Sequence, residues 1–179
     1  VLYVKGDKSL LNGRLTMGIV GTRTPSSYGV EAVRLVGRQL AAAGVVVVSG
    51  LAAGLDAEAH KAALAAEGYT VACIAFGHDH CYPAANRRLM EMVERYGAVI
   101  SEYPLGVRSE RPFFLQRNRL IAALSHGLLV AEARQHSGTM STVNFAAEYG
   151  REDFAIPGSL LSPLSGGTNG LIREGANLA

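Results

Sequence analysis

A chain of 179 residues with 49% hydrophobic content has enough apolar side chains for one large core. Its net charge of +2 excludes a protein that is basic over its whole surface, so any site for a polyanion must come from local clusters of arginine. With 7% aromatic content, no Trp and 21 Gly, the balance is that of packed βα units joined by glycine-rich turns.

Two cysteines, Cys73 and Cys81, make neither a disulfide framework nor a Cys-x-x-Cys pair, which predicts a reducing, cytoplasmic compartment. No apolar run approaches the length of a membrane span. Because the sequence opens on Val1-Leu2-Tyr3-Val4 as though in mid-strand, it is expected to be the core of a longer protein. No linker or repeat divides it, so one domain over residues 1–179 is expected.

In chain order, Val1 to Gly6 predicts a short strand, Asp7 to Arg14 a turn or helical loop, and Met17 to Val20 a fully buried strand. Gly21-Thr22-Arg23 to Gly29 follows, where α/β sheets bind ligands, and leads into a helix capped by Ser26 or Ser27. The N–H groups at that helix start, with Arg23, suit a phosphate. Val45 to Val48 is the plainest buried strand, ending in a second glycine-rich turn, Ser49-Gly50-Leu51-Ala52-Ala53-Gly54-Leu55-Asp56. Asp56 is placed to cap a helix running to about Glu67, with His60 one turn on and Lys61 beside it. The pair reads as a cap and a structurally bonded histidine, since no Ser or Cys stands in a nucleophile-elbow context.

Thr70 to Phe76 predicts another buried strand, followed by the loop Gly77-His78-Asp79-His80-Cys81-Tyr82-Pro83. Four potential ligands this close together, with no distant second set, do not make a tetrahedral zinc site, so no metal is expected. A helix from Ala84 to Tyr96, a strand from Ala98 to Ser101 and an extended loop from Pro104 to Pro112 lead to the stretch Arg111 to Gly127. Its front half sets Arg111, Arg117 and Arg119 around Phe113 and Phe114, and its back half is an apolar helix. Guanidinium groups attract phosphate and a phenyl face accepts a stacked base. The alternative is that the arginines pair with Glu102 and Glu110 while the rings join the core. Leu128 to Glu132 is strand again, and Ser137 is the expected cap of a helix running to about Gly150, a third glycine-containing helix start at the same sheet edge. Asp153 to Ile156 is a last strand, followed by a glycine- and serine-rich loop and a short helix at Leu171 to Glu174.

Enzyme signatures mostly fail. No Gly-x-Gly occurs, which removes the dinucleotide fingerprint, and no Gly-Lys-Ser/Thr ends a phosphate loop. No cofactor is expected.

The segments Gly21-Thr22-Arg23 to Gly29, Ser49 to Asp56 with His60, Asp79 with Tyr82-Pro83 and Asn86-Arg87, Ser101-Glu102, Phe114 with Arg117 to Ala122, Glu132-Ala133 with Ser137-Gly138-Thr139, and Pro157 to Ala176 resemble, in order, the DNA-processing protein A family (DprA, also called Smf). The resemblance implies an extended Rossmann-like α/β fold, a predominantly parallel sheet with helices on both faces. It implies single-stranded DNA binding without catalysis, homodimers, and delivery of the strand to a RecA-type recombinase during natural transformation. The DNA-binding set implied is Gly21, Thr22, Arg23, Ser49, Gly50, Lys61, Arg111, Phe114, Arg117, Asn118, Arg119, Ser137, Gly138 and Thr139, with Phe114 as stacking ring and the arginines as phosphate contacts. Ala75-Phe76-Gly77 and Leu115 depart from the family pattern. A second reading is a nucleotide-hydrolysing enzyme of the phosphoribohydrolase type, but Thr142 stands where those enzymes carry a catalytic glutamate.

Overall fold

The computed structural model describes residues 1–179, and its eight strands form one sheet. The chain enters through β1 (Tyr3–Gly6) and β2 (Thr16–Val20), then α1 (Ser27–Ala42), β3 (Val46–Ser49), α2 (Leu55–Ala65) and β4 (Thr70–Ile74). It continues through α3 (Arg87–Tyr96), β5 (Ala98–Ser101), α4 (Arg111–Ala123) and β6 (Gly127–Val130). It closes with α5 (Thr139–Glu148), β7 (Glu152–Ala155), α6 (Gly166–Arg173) and β8 (Asn177–Leu178).

The order across the sheet is β1-β5-β4-β3-β2-β6-β7-β8, and every pair is parallel except β1 with β5. The valine run explains why the sheet is covered on both faces. Val46 and Val48 belong to the core beneath α4, α5 and α6, with Leu120, Ile121, Val143 and Leu171, whereas Val47 belongs to the core beneath α1 and α2, with Val33, Leu55 and Ala59. Side chains alternate along a strand, so a run apolar at every position requires apolar cover on both sides. A third cluster, around Phe76, Leu89, Met90 and Val93, packs α3 on the β4–β5 end.

Three local expectations are corrected. Asp56 does not cap α2: the cap position is Gly54, and Asp56 sits in the first turn with its carboxylate turned back to the Gly50 N–H at 3.2 Å. Ser137 does not cap α5: Gly138 holds that position with no side-chain bond, and the helix stops at Glu148. The helix expected from Ala84 opens with a separate 3₁₀ turn, Ala84–Asn86, before α3 begins.

Candidate functional site

The strand order reverses at β2. From β2 the chain passes over one face to β3, while from β6 it passes over the other face to β7, so the loops after these neighbouring strands part and leave a crevice at their carboxyl ends. A cavity of about 410 Å³ lies there, lined by Gly21, Thr22, Arg23, Ala52 and Asp56 from the first two turns. Phe114, Arg117 and Asn118 of α4 and Ser137, Gly138, Thr139 and Thr142 of the α5 start complete it. The expectation that the turns after β2, β3 and β6 share one edge is met.

The three helix starts are not equivalent. At α1 the space that a phosphate would take is filled by Glu132, which accepts from the Ser26 N–H at 3.0 Å and the Ser26 hydroxyl at 2.5 Å. Ser26 in turn caps α1 by accepting from the Gly29 N–H at 3.2 Å. Gly29 has no side chain because the Glu132 carboxylate lies where a Cβ would stand. At α2 the Leu55 N–H donates to the Thr22 carbonyl at 3.2 Å, and Asp56 occupies the remaining space. At α5 the N–H groups of Gly138 and Thr139 have no partner within the protein, the Ser137 hydroxyl has none either, and no carboxylate stands over them: the position of a Gly138 Cβ opens onto free space. Asn118 holds this start against α4 by donating to Ser141 Oγ at 2.8 Å and the Gly138 carbonyl at 3.3 Å. Free N–H groups at the positive end of a ten-residue helix make an anion site.

The arginines divide. Arg117 is 3% exposed; its guanidinium donates to the carbonyls of Gly50 and Cys73 and lies near the buried carboxylate of Asp56. Burial pushes the Asp56 carboxyl above the usual carboxylate range, opposed first by the Arg117 charge. Burial lowers the Arg117 guanidinium in turn, opposed first by Asp56. Gly50 is required here, because a Cβ would come within 2.6 Å of both the guanidinium carbon of Arg117 and Asp56 Oδ2. Arg23, exposed and free of carboxylates, lays its guanidinium 5.3 Å from the Phe114 ring centre at the mouth of the cleft. Arg119, two residues from Arg117 and so on the opposite side of α4, is exposed and bonded to both oxygens of Glu102, at 2.6 and 2.7 Å. Arg111 is exposed at the first position of α4, outside the cleft lining.

The structure thus brings Gly21, Thr22, Arg23, Phe114, Arg117, Asn118, Ser137, Gly138 and Thr139 to one cavity. Ser49 and Gly50 lie beneath its floor, the Ser49 hydroxyl donating to the Ile19 carbonyl at 2.6 Å. Lys61 is apart from it, paired with Glu58 at 2.8 Å on the α1 side of α2. His60 is fully buried with Nδ1 2.7 Å from Thr70 Oγ1, a structural histidine whose pKa burial lowers to about 3. Sequence reasoning gave Glu132 no role; the signal was a lone carboxylate at the end of an otherwise apolar strand.

A family model described as DNA recombination-mediator protein A matches residues 1–179. The chain is 41% identical over 176 residues to the DNA processing protein DprA of Bacillus subtilis, covering 98% of this chain and 59% of that protein. It is 42% identical over 178 residues to protein Smf of Escherichia coli, covering 99% and 47%. It therefore spans about half to three-fifths of the length of these relatives. Among solved structures, DNA processing protein A from Streptococcus pneumoniae superposes with a TM-score of 0.95 at 43% identity, over 99% of this chain and 62% of that one. A Helicobacter pylori DNA processing protein A, described for its single-stranded DNA binding mode, superposes with a TM-score of 0.92 at 35% identity, over 99% and 80%. A molybdenum cofactor binding protein from Rippkaea orientalis shares the fold alone, at 17% identity and a TM-score of 0.65. An eight-stranded sheet with a crevice at its switch point, matched over all of its residues by one family model, assigns the chain to the DNA recombination-mediator protein A family.

Proposed function

We propose that residues 1–179 form one DNA-binding unit that holds single-stranded DNA in the switch-point cleft. The observation that carries this reading is the α5 start, where the Gly138 and Thr139 N–H groups and the Ser137 hydroxyl have no partner within the protein and lie in a cavity that Arg23 and Phe114 also line. A backbone phosphate sits on the α5 start, Arg23 supplies charge, and Phe114 offers a face to an unpaired base. Arg111 and Arg119 on the outer side of α4 extend the phosphate track, and Arg117 acts from below by holding the Gly50 turn in place. The described binding mode of the Helicobacter pylori relative supports the choice of ligand.

Binding without catalysis is the reading that the residues favour. The only carboxylate lining the cleft is Asp56, which is turned to Gly50 and Arg117, and the position required by the phosphoribohydrolase reading is a buried Thr142. From its family the whole protein is proposed to act in the cytoplasm in DNA uptake and recombination, passing the strand to a RecA-type recombinase. It is proposed to do so as a homodimer, and the exposed Leu160 and Leu161, 92% and 94% accessible, supply the apolar surface that a second copy would cover.

Titration of fluorescent single-stranded and double-stranded oligonucleotides at two salt concentrations tests the central claim. Tighter binding of the single strand, weakening as salt rises, is expected. Equal affinity for duplex, or salt-insensitive binding, rejects it.

A further inference from the structure

Beyond the cleft, on the other side of Phe114, Tyr82 and Pro83 form with Ala52, Ala53, Arg23 and Phe114 a shallow recess of about 70 Å³. Arg23, Ala52 and Phe114 line both the recess and the cleft, so the two are continuous. Tyr82 is 49% exposed, its ring centre is 5.5 Å from that of Phe114, and the two planes are inclined at 53°. Such rings meet at an open angle and do not use up each other's faces. Tyr103 and Phe113, on the same helix–loop junction, do the opposite: they stack at 4.5 Å and 26°, and the Tyr103 hydroxyl donates to Gln116. The Tyr82 hydroxyl has no partner within the protein, so core packing does not account for the residue.

The recess is also held rigidly. Asn86 donates from Nδ2 to the carbonyls of Leu51 and Ala52, at 2.9 and 3.3 Å, tying the turn after β3 to the segment that carries Tyr82. The Asn86 N–H donates to the Pro83 carbonyl at 3.0 Å. A ring presented on a braced segment loses little entropy on receiving a ligand.

We propose that Tyr82 is a second base platform: one unpaired base stacks on Phe114, its neighbour stacks on Tyr82, and the phosphate between them meets Arg23. The volume is too small to enclose a base, so the second base lies against the ring in the open, where any of the four bases fits. This inference rests on the cleft being the single-strand site, and it adds a direction, since the strand leaves the cleft past Phe114 toward Tyr82.

The test uses oligo-dT carrying one 2-aminopurine, whose fluorescence is quenched on stacking, with wild type and the variants Tyr82→Phe, Tyr82→Leu and Tyr82→Ala. Tyr82→Ala and Tyr82→Leu are expected to bind about tenfold more weakly, to keep the wild-type melting temperature and salt dependence, and to lose quenching at one nucleotide position while retaining it at the adjacent one. Tyr82→Phe should restore both affinity and quenching. If wild type binds and Tyr82→Ala and Tyr82→Leu match it in affinity and quenching, the inference is overturned while the cleft remains the site. A wild type that binds no single strand overturns both.

Discussion

Glu132, two residues beyond the end of β6, accepts hydrogen bonds from both the N–H and the hydroxyl of Ser26, at 3.0 and 2.5 Å, so the anion at the amino end of α1 belongs to the protein. This bond also ties the loops after the two strands that flank the switch point. Glu132→Ala would leave a part-buried N–H and hydroxyl without their charged partner. It should lower unfolding stability by roughly 1.5–3 kcal/mol in a denaturant titration, with single-stranded DNA affinity no weaker than wild type. Weakened binding at unchanged stability would place Glu132 against the ligand.

Arg117 and Arg119 should fail in different ways. Arg117→Ala leaves the Asp56 carboxylate buried without its counter-charge and two carbonyls without a donor. Breaking a buried pair from one side costs about 3–5 kcal/mol. Arg119→Ala removes an exposed pair with Glu102, for which about 0–1 kcal/mol is expected. Thermal melting separates them: a large loss for Arg117→Ala and almost none for Arg119→Ala. Equal melting temperatures would refute the buried role of Arg117.

That division shows how far the sequence could be read. The three turns were legible because each follows a run of buried residues and contains glycine, and a parallel sheet puts such turns on one edge. Which arginine faces inward was not: Arg117 stands three and four residues before the buried Leu120 and Ile121, but Arg119 stands three before the buried Ala122, so spacing alone does not separate them. β1 was expected as a strand, but its antiparallel pairing with β5 and the two-residue β8 were not recoverable, because so short a segment carries no period and its pairing is decided by distant chain. The role of Glu132, though not its place in the family pattern, was hidden for the same reason: its partner is 106 residues away.

His60 makes stability depend on pH. Burial lowers its pKa from 6.5 to about 3, so below 6.5 the unfolded chain binds a proton that the folded chain refuses. The stability linked to it is fully present above pH 6.5 and is lost as pH falls toward 3, at up to about 1.4 kcal/mol per pH unit. The burial-raised carboxyls of Asp56 and Asp153 act in the opposite sense, so the informative quantity is the difference between wild type and His60→Gln. In chemical denaturation at pH 7, 6 and 5, the stability of wild type relative to the variant should fall as the pH falls. Parallel curves would show that the folded protein accepts the proton.

Charge and stacking are separable at the mouth of the cleft. With Arg117 committed to carbonyls, three arginines remain for phosphate, Arg23, Arg111 and Arg119. At about −0.7 per contact, log affinity for single strands should fall against log salt with a slope near −2. Arg23→Ala, Arg111→Ala and Arg119→Ala should each flatten that slope by about 0.7. Phe114→Ala should lose roughly 1–3 kcal/mol of binding and leave the slope unchanged, because a base contact has gone and no phosphate contact has. The ring also lies 5.3 Å beneath the Arg23 guanidinium, which gives the experiment its second outcome. If Phe114→Ala flattens the slope as much as Arg23→Ala does, and the double variant binds no more weakly than either, the ring serves only to position Arg23.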